Sequence, residues 1–214
     1  MLHIVFEDEV LLVVNKASGV LSQPGRLRDG SVVTEVRERF IDARGPLLVH
    51  RLDMDTSGLL MIGKTRAAHR HLQQQFERRQ VRKRYTALLS GIPSSSGGVI
   101  SLPLAKDWER RPKQCIDFDQ GKPAVTAWRI APVPLGTLPS SDPSYLAYTR
   151  VHLYPQTGRT HQLRVHMATG LGLPIVGDRL YGQKHVRLML HADQLQFAHP
   201  VTEQPIFLTI NASF

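Results

Sequence analysis

The spacing of apolar residues changes several times along the chain, and each change marks an element. Ile4 to Val14 forms two short apolar runs around the acidic stretch Glu7-Asp8-Glu9, and Lys16 to Gly19 then breaks the pattern. This predicts a hairpin that opens a sheet. After the polar, glycine-punctuated segment Ser22 to Gly30, Ser31 stands where a helix cap belongs, with Val32, Val33, Val36 and Phe40 on the apolar side of a helix reaching about Phe40. Leu47 to Val49 and Leu59 to Ile62 read as apolar strands on either side of a polar turn. From Arg66 to Gln80 the period is helical: Ala68, Leu72 and Phe76 recur at four-residue spacing, and arginine, histidine and glutamine fill the side turned to water. A strand follows over Tyr85 to Leu89, and in extended geometry Val81, Lys83, Tyr85, Ala87 and Leu89 share one face.

Further on, loops rich in proline, serine and glycine span Pro93 to Gly98 and Pro132 to Ser144. Short strands are predicted around Val99 to Leu104, Gln114 to Phe118 and Ala124 to Ile130. A strand ending at Tyr154, a turn at Thr157-Gly158-Arg159 and a short helix capped by Thr160 and ending near Gly170 or Gly172 come next. On that helix Leu163 and Met167 face the core, with Arg164 at the margin. Leu188 to Phe214 alternates strand-like segments that close the sheet. No repeat and no sharp change of composition interrupts this series, so a single domain over residues 1–214 is expected.

Composition narrows the class. With 214 residues and 42% hydrophobics, the chain can bury a core. Its 27 Lys and Arg against 18 acids give a net charge of +9, which favours a polyanionic partner such as nucleic acid. A single cysteine, Cys115, excludes an intramolecular disulfide framework and a cysteine-rich zinc site, and suits a reducing compartment. The acidic amino terminus has neither secretion-signal nor transit-peptide character, and no apolar run nears the ~20 residues that cross a bilayer.

The most concentrated chemistry lies in Val49 to Thr65, where three motifs overlap. Asp53-x-Asp55-x-Ser57-Gly58 opens like a calcium loop, but its twelfth position is Lys64, where a bidentate glutamate belongs. Gly58 to Thr65 satisfies the phosphate-loop pattern letter for letter, yet Leu59 to Ile62 is a solid apolar run that reads as a strand. The third reading is Asp53 itself, a carboxylate on a polar turn between rigid strands. Locally it is either a catalytic group or a turn residue pairing with Arg51.

Other candidates also carry two readings. The basic run Arg78 to Tyr85 is a phosphate contact or a solvated face, and Tyr85 is a functional residue or a core tyrosine with a satisfied hydroxyl. The basic loop Lys106 to Lys113, with Trp108, Arg110 and Arg111, suits stacking on unpaired bases or simply packs its tryptophan. A part-buried Arg164 needs an anion, for which Asp53 is the obvious candidate. The histidines 161, 166, 191 and 199 lack the spacing of a metal site.

His50-Arg51-Leu52-Asp53 followed by Thr56-Ser57-Gly58 resembles the signature of the RluA family of RNA pseudouridine synthases. The opening Val13-Val14-Asn15-Lys16 with Gly19, Lys83-x-Tyr85, Gly121-Lys122-Pro123-Ala124, the run Thr157 to His166, Gly177-Asp178 and Leu190-His191-Ala192 follow in the family's order. Ala17 departs from the family's usual proline. The resemblance is greatest to the short members without an extra RNA-binding domain in front, and none is expected here.

The resemblance implies an α+β fold: a mixed, largely antiparallel β-sheet with flanking helices and a central RNA-binding cleft, working without cofactor or metal. It implies Asp53, Tyr85 and Arg164 as catalytic residues, and a uridine in structured RNA as substrate, in 23S ribosomal RNA or the tRNA anticodon loop. Arg51, Lys16, Lys83, Lys113 and Lys122 are the expected RNA contacts. A cytoplasmic monomer with no membrane association and no obligate protein partner completes the expectation. A noncatalytic RNA-binding module and a phosphate-loop nucleotide hydrolase are the competing readings.

Overall fold

The computed structural model describes residues 2–25, 30–43, 45, 47–132 and 148–214. Most of the expected loop Pro132 to Ser144, and part of the polar segment Ser22 to Gly30, lie outside the described residues. The chain divides into two compact units, Met1–Lys83 with Ala192–Asn211 and Arg84–His191 with Ala212–Phe214.

In the first unit β1 (Ile4–Glu7) and β2 (Leu11–Lys16) form the expected antiparallel hairpin. Its turn closes because the Asp8 carboxylate accepts the Val10 and Leu11 amides at 2.8 and 2.7 Å. Next to β2 lies β4 (Ser57–Gly63), antiparallel and buried at every position, which is why its sequence is a continuous apolar run. The short β3 (Leu47–Leu48) also pairs with β4. β11 (Leu190–Ala198), whose residues from Ala192 onward belong to this unit, pairs with β12 (Pro205–Thr209).

Ser31 caps α1 (Val32–Arg39) by accepting the Thr34 amide. Thr65 caps α2 (Arg66–Glu77) in the same way. Leu11, Val13, Leu59, Met61, Leu72, Leu195 and Phe197 form the core of this unit. Helix α2 differs from its expected stripe, because His69 and Gln75 are buried beside Ala68 and Leu72. Both have backbone partners: His69 Nε2 lies 2.8 Å from the Leu48 carbonyl, and the Gln75 amide exchanges two hydrogen bonds with Ala198.

The second unit holds β5 (Arg82–Ser90, from Arg84 onward), β10 (Tyr148–Pro155), β9 (Val125–Ile130) and β6 (Gly97–Ser101), in the order β5-β10-β9-β6 and antiparallel throughout. A separate hairpin joins β7 (Leu104–Lys106) to β8 (Gln114–Ile116). The single strand expected over Val99 to Leu104 is therefore two. Pro103 has no amide to give a ladder and turns the chain there.

The expected short helix is also divided. α3 (Gln162–Val165) passes directly into a π-helical turn over His166–Gly170. The residue at its amino end is His161, in left-handed backbone (φ 53°), in place of a capping Thr160. Gln162 explains the change: its side chain accepts from Thr157 Oγ1 and the Arg159 amide and donates to Val125 O, closing the turn from inside. The fold is α+β, with a mostly antiparallel sheet and few helices.

Candidate active site

Asp53 sits half-buried in the turn that leads into β4. The turn is held by its neighbours' peptide groups. Before Asp53, the buried Ser22 hydroxyl donates to Leu52 O at 2.8 Å and accepts the Leu52 amide at 3.1 Å. After it, Met54 O accepts from Lys16 Nζ and from the Gly19 amide, both at 2.9 Å, and Asp55 O accepts from Ser18 Oγ at 2.7 Å. The 16–22 loop thus grips the backbone on both sides of Asp53.

Lys16 departs from its expected role as an RNA contact, being 2% exposed. Its ammonium also donates to Ala17 O and Val20 O, at 2.9 and 2.7 Å. An ammonium removed from water requires oxygen partners, and these carbonyls supply them. At the far end of the turn Gly58 has φ +116°, and a Cβ there would lie 2.3 Å from the Ala192 carbonyl oxygen. Only glycine allows that approach.

His50, three residues before Asp53, is locked as well. Its Nε2 accepts the Met61 amide at 3.0 Å and its ring stacks on Phe76, with centroids 4.9 Å apart. Burial, reinforced by the nearby Lys83 charge, pushes the imidazole down to about 3, so it is neutral at physiological pH and keeps the lone pair that the bond requires. Lys83 Nζ lies 5.6 Å from the Phe76 ring centroid, and burial lowers its pKa too. Arg51, beside Asp53, is exposed.

The phosphate-loop reading fails on geometry. Gly58 to Gly63 pairs in register with Lys16 to Leu11 as a sheet strand, so this segment is no amide cradle. Lys64 Nζ donates to Asp8 O at 2.6 Å and to Glu7 Oε1 at 3.4 Å.

The second unit carries the other two expected catalytic residues. Tyr85 lies on β5 opposite Leu153, half-buried against the core of Leu89, Val151, Leu153 and Trp128. Arg164 lies on α3 and is buried. Its Nε and Nη2 make a two-point bond to the Asp178 carboxylate at 2.8 and 2.7 Å. Asp178, fully buried, also accepts the Leu180 and Tyr181 amides through Oδ1. The Tyr181 ring lies 5.3 Å from the guanidinium carbon.

Asp178 is the acid that sequence reasoning missed; the Gly177-Asp178 pair was visible, but nothing local ties it to an arginine fourteen residues earlier. Gly177 is required there because its φ is +80° and a Cβ would sit 1.8 Å from Arg187 O. Of the remaining basic candidates, Lys113 is half-buried and Lys122 is exposed, with its backbone paired to Leu104.

Known proteins resemble this chain. The family model for RNA pseudouridylate synthase matches residues 10–169, running through segments of both units. The dual-specificity RNA pseudouridine synthase RluA of Escherichia coli K12 is 43% identical over 208 residues, covering 93% of this chain and 88% of that protein. The enzyme of the same description from Salmonella typhimurium is 41% identical, with 100% and 94% covered. Among solved structures, human RNA pseudouridylate synthase domain containing 1 matches with a TM-score of 0.78 and 33% identity, over 99% of this chain and 83% of its own. Matches of this length and depth place the chain in the RNA pseudouridylate synthase family, as an RluA-type RNA pseudouridine synthase.

Proposed function

We propose that the enzyme isomerises uridines in 23S ribosomal RNA and in the tRNA anticodon loop, with Asp53 carrying the chemistry. The dual specificity of the relatives supports the substrate range, and the net charge of +9 suits a polyanion. The observation that carries the catalytic assignment is the Asp53 turn, gripped at Leu52, Met54 and Asp55 so that one carboxylate is placed by its backbone.

One carboxylate suffices for this reaction. The bond from uracil N1 to C1′ breaks, the base turns, and C5 joins C1′; C5 then loses its proton and N1 gains one, with no net change of atoms. A glycosidase needs two carboxylates because its leaving group departs and water attacks. Here Asp53 acts on the sugar either as nucleophile or as the base that opens an elimination, and both routes need it ionised. Arg164 is the further catalytic residue the family motif points to, and its guanidinium is oriented by Asp178. Tyr85 stacks on the uracil.

The target base leaves its stack to reach such a site, at a cost of a few kcal/mol. Arg51 fills the vacated space, while Lys83, Lys113 and Lys122 meet phosphates. Lys16 holds the turn from inside. Both units belong to one catalytic domain, in keeping with a family match that runs through each. The enzyme works as a cytoplasmic monomer without metal, cofactor or obligate protein partner. Among the described residues no helix is long and apolar enough to cross a membrane.

Tritium release from RNA labelled at uridine C5 tests the assignment. The unaltered enzyme is expected to release tritium without added metal or nucleotide, and Asp53→Asn none above background. Full release by the variant would sink the role of Asp53. Background release by the unaltered protein on both RNA classes would instead favour a noncatalytic binding module.

A further inference from the structure

The hairpin β7-β8 carries an aromatic residue that the fold leaves outside. Trp108 is 65% exposed, whereas the chain's other tryptophan, Trp128, is 5% exposed in the core. A lone exposed aromatic means little. This one is part of a built surface. The Arg111 guanidinium carbon lies 4.3 Å from the Trp108 ring centroid, and Lys106 Nζ lies 5.4 Å from it. The loop that presents them is closed: the Asp107 amide donates to Lys113 O at 3.1 Å and the Lys113 amide to Arg110 O at 2.9 Å. The Asp107 carboxylate accepts the Arg110 amide and Nε at 3.0 and 2.8 Å.

The root of the hairpin is fixed on the support of Arg164. Leu104 and Ile116 pack with Ala124, Tyr181 and Val165, the residue next to Arg164. The Tyr181 hydroxyl accepts the Gln114 amide at 2.7 Å, so the strand leaving the loop is tied to the ring that faces the Arg164 guanidinium. A flexible loop would lose ordering entropy on binding; this one is ordered beforehand.

We infer that Trp108 and Arg111 form a stacking platform for an unpaired base of the substrate RNA, with Lys106 and Lys113 meeting the phosphates beside it. Unpaired bases stack on aromatic rings and guanidinium planes, and a duplex offers no such face along its length. A planar cation on an exposed indole, rimmed by lysines, fits a base in an anionic strand better than an apolar protein partner. The inference rests on RNA being the substrate, and it assigns the platform to loop nucleotides other than the uridine being turned.

Two tryptophans, only one of them exposed, make the test direct. Intrinsic fluorescence of the full chain is titrated with a hairpin RNA whose loop is unpaired, and with a duplex of the same length and composition. The hairpin is expected to quench the emission, Trp108→Phe to remove that quenching, and Trp108→Ala to weaken hairpin affinity about tenfold, within the range of one lost stacked base. Trp108→Phe, which keeps a ring, retains most of the affinity. Unchanged affinity in Trp108→Ala, or equal quenching by the duplex, overturns the platform. Tritium release by the unaltered enzyme is read separately, so intact release beside an unaffected Trp108→Ala affinity refutes the platform alone. Weakened binding by Trp108→Ala supports it whatever the release.

Discussion

Asp53 and Arg164 are both immobilised, but by bonds of different kinds. The bonds that fix the Asp53 turn end on the peptide groups of Leu52, Met54 and Asp55, and they come from Ser22, Lys16, Gly19 and Ser18 within one short loop. Arg164 is gripped on its charged group itself, by a buried carboxylate with two further amide donors. Peptide clamps act on the backbone that carries the side chain, and they are several, so loss of one distorts the turn by degrees. A buried charge pair is less tolerant, because removing either partner breaks a two-point bond where charge is costly to hold.

The largest expected effect follows from breaking the pair. Asp178→Ala should destabilise the protein by about 3–5 kcal/mol, the usual penalty for removing one partner of a buried ion pair. Urea denaturation measures the loss. A change within error of zero would show that Arg164 is re-solvated easily and that the two supports do not differ in kind.

Breaking a clamp should cost less in stability and more selectively in rate. Lys16→Met removes donors from three carbonyls, and the loss is partly offset because a buried ammonium is also removed; roughly 2–4 kcal/mol is expected. Misplacing the Asp53 backbone should lower kcat about a hundredfold, since small displacements of a reacting group are costly. Hairpin affinity should be far less affected. If affinity falls as much as kcat, Lys16 supports RNA binding more directly than its burial suggests.

The smallest effect separates the units by pH. His50 in the first unit is held down to about 3, by burial and Lys83. His152 and His191 in the second are each held down to about 4, by burial first and by neighbouring arginines second. The unfolded chain takes up protons on these groups near 6.5, where the folded protein does not. Their contribution to stability is therefore complete above about pH 6.5 and lost as pH falls through that value toward 4. The urea midpoint should be lower at pH 4.5 than at pH 7. His50→Gln, which keeps an acceptor for the Met61 amide, should flatten the decline in part; an unchanged decline would assign it to the second unit's histidines with lowered pKa, His152, His166 and His191.

Much of the fold was legible because periodicity reports which face of an element meets the core. The β1-β2 hairpin, the Ser31 cap and the Asp53 turn between two apolar strands all follow from local pattern. The exceptions share a cause. His69, Gln75 and Lys16 are polar residue types in the interior, and each is there because backbone groups reach it. Trp108 is the reverse, an apolar type left outside by a loop that closes on its own hydrogen bonds. Residue type alone predicts the opposite placement for all four.

The sequence by itself determined the order of most elements, because side-chain period and turn chemistry are local properties, and it carried the motifs whose family resemblance implied the α+β class. Tertiary structure alone decided which carboxylate meets Arg164 within its unit and that Lys16 faces inward. It also decided that Gly58 and Gly177 allow backbones to approach where any Cβ would collide. Those outcomes depend on how distant segments satisfy a buried charge or share the same space, and no local window of residues contains that information.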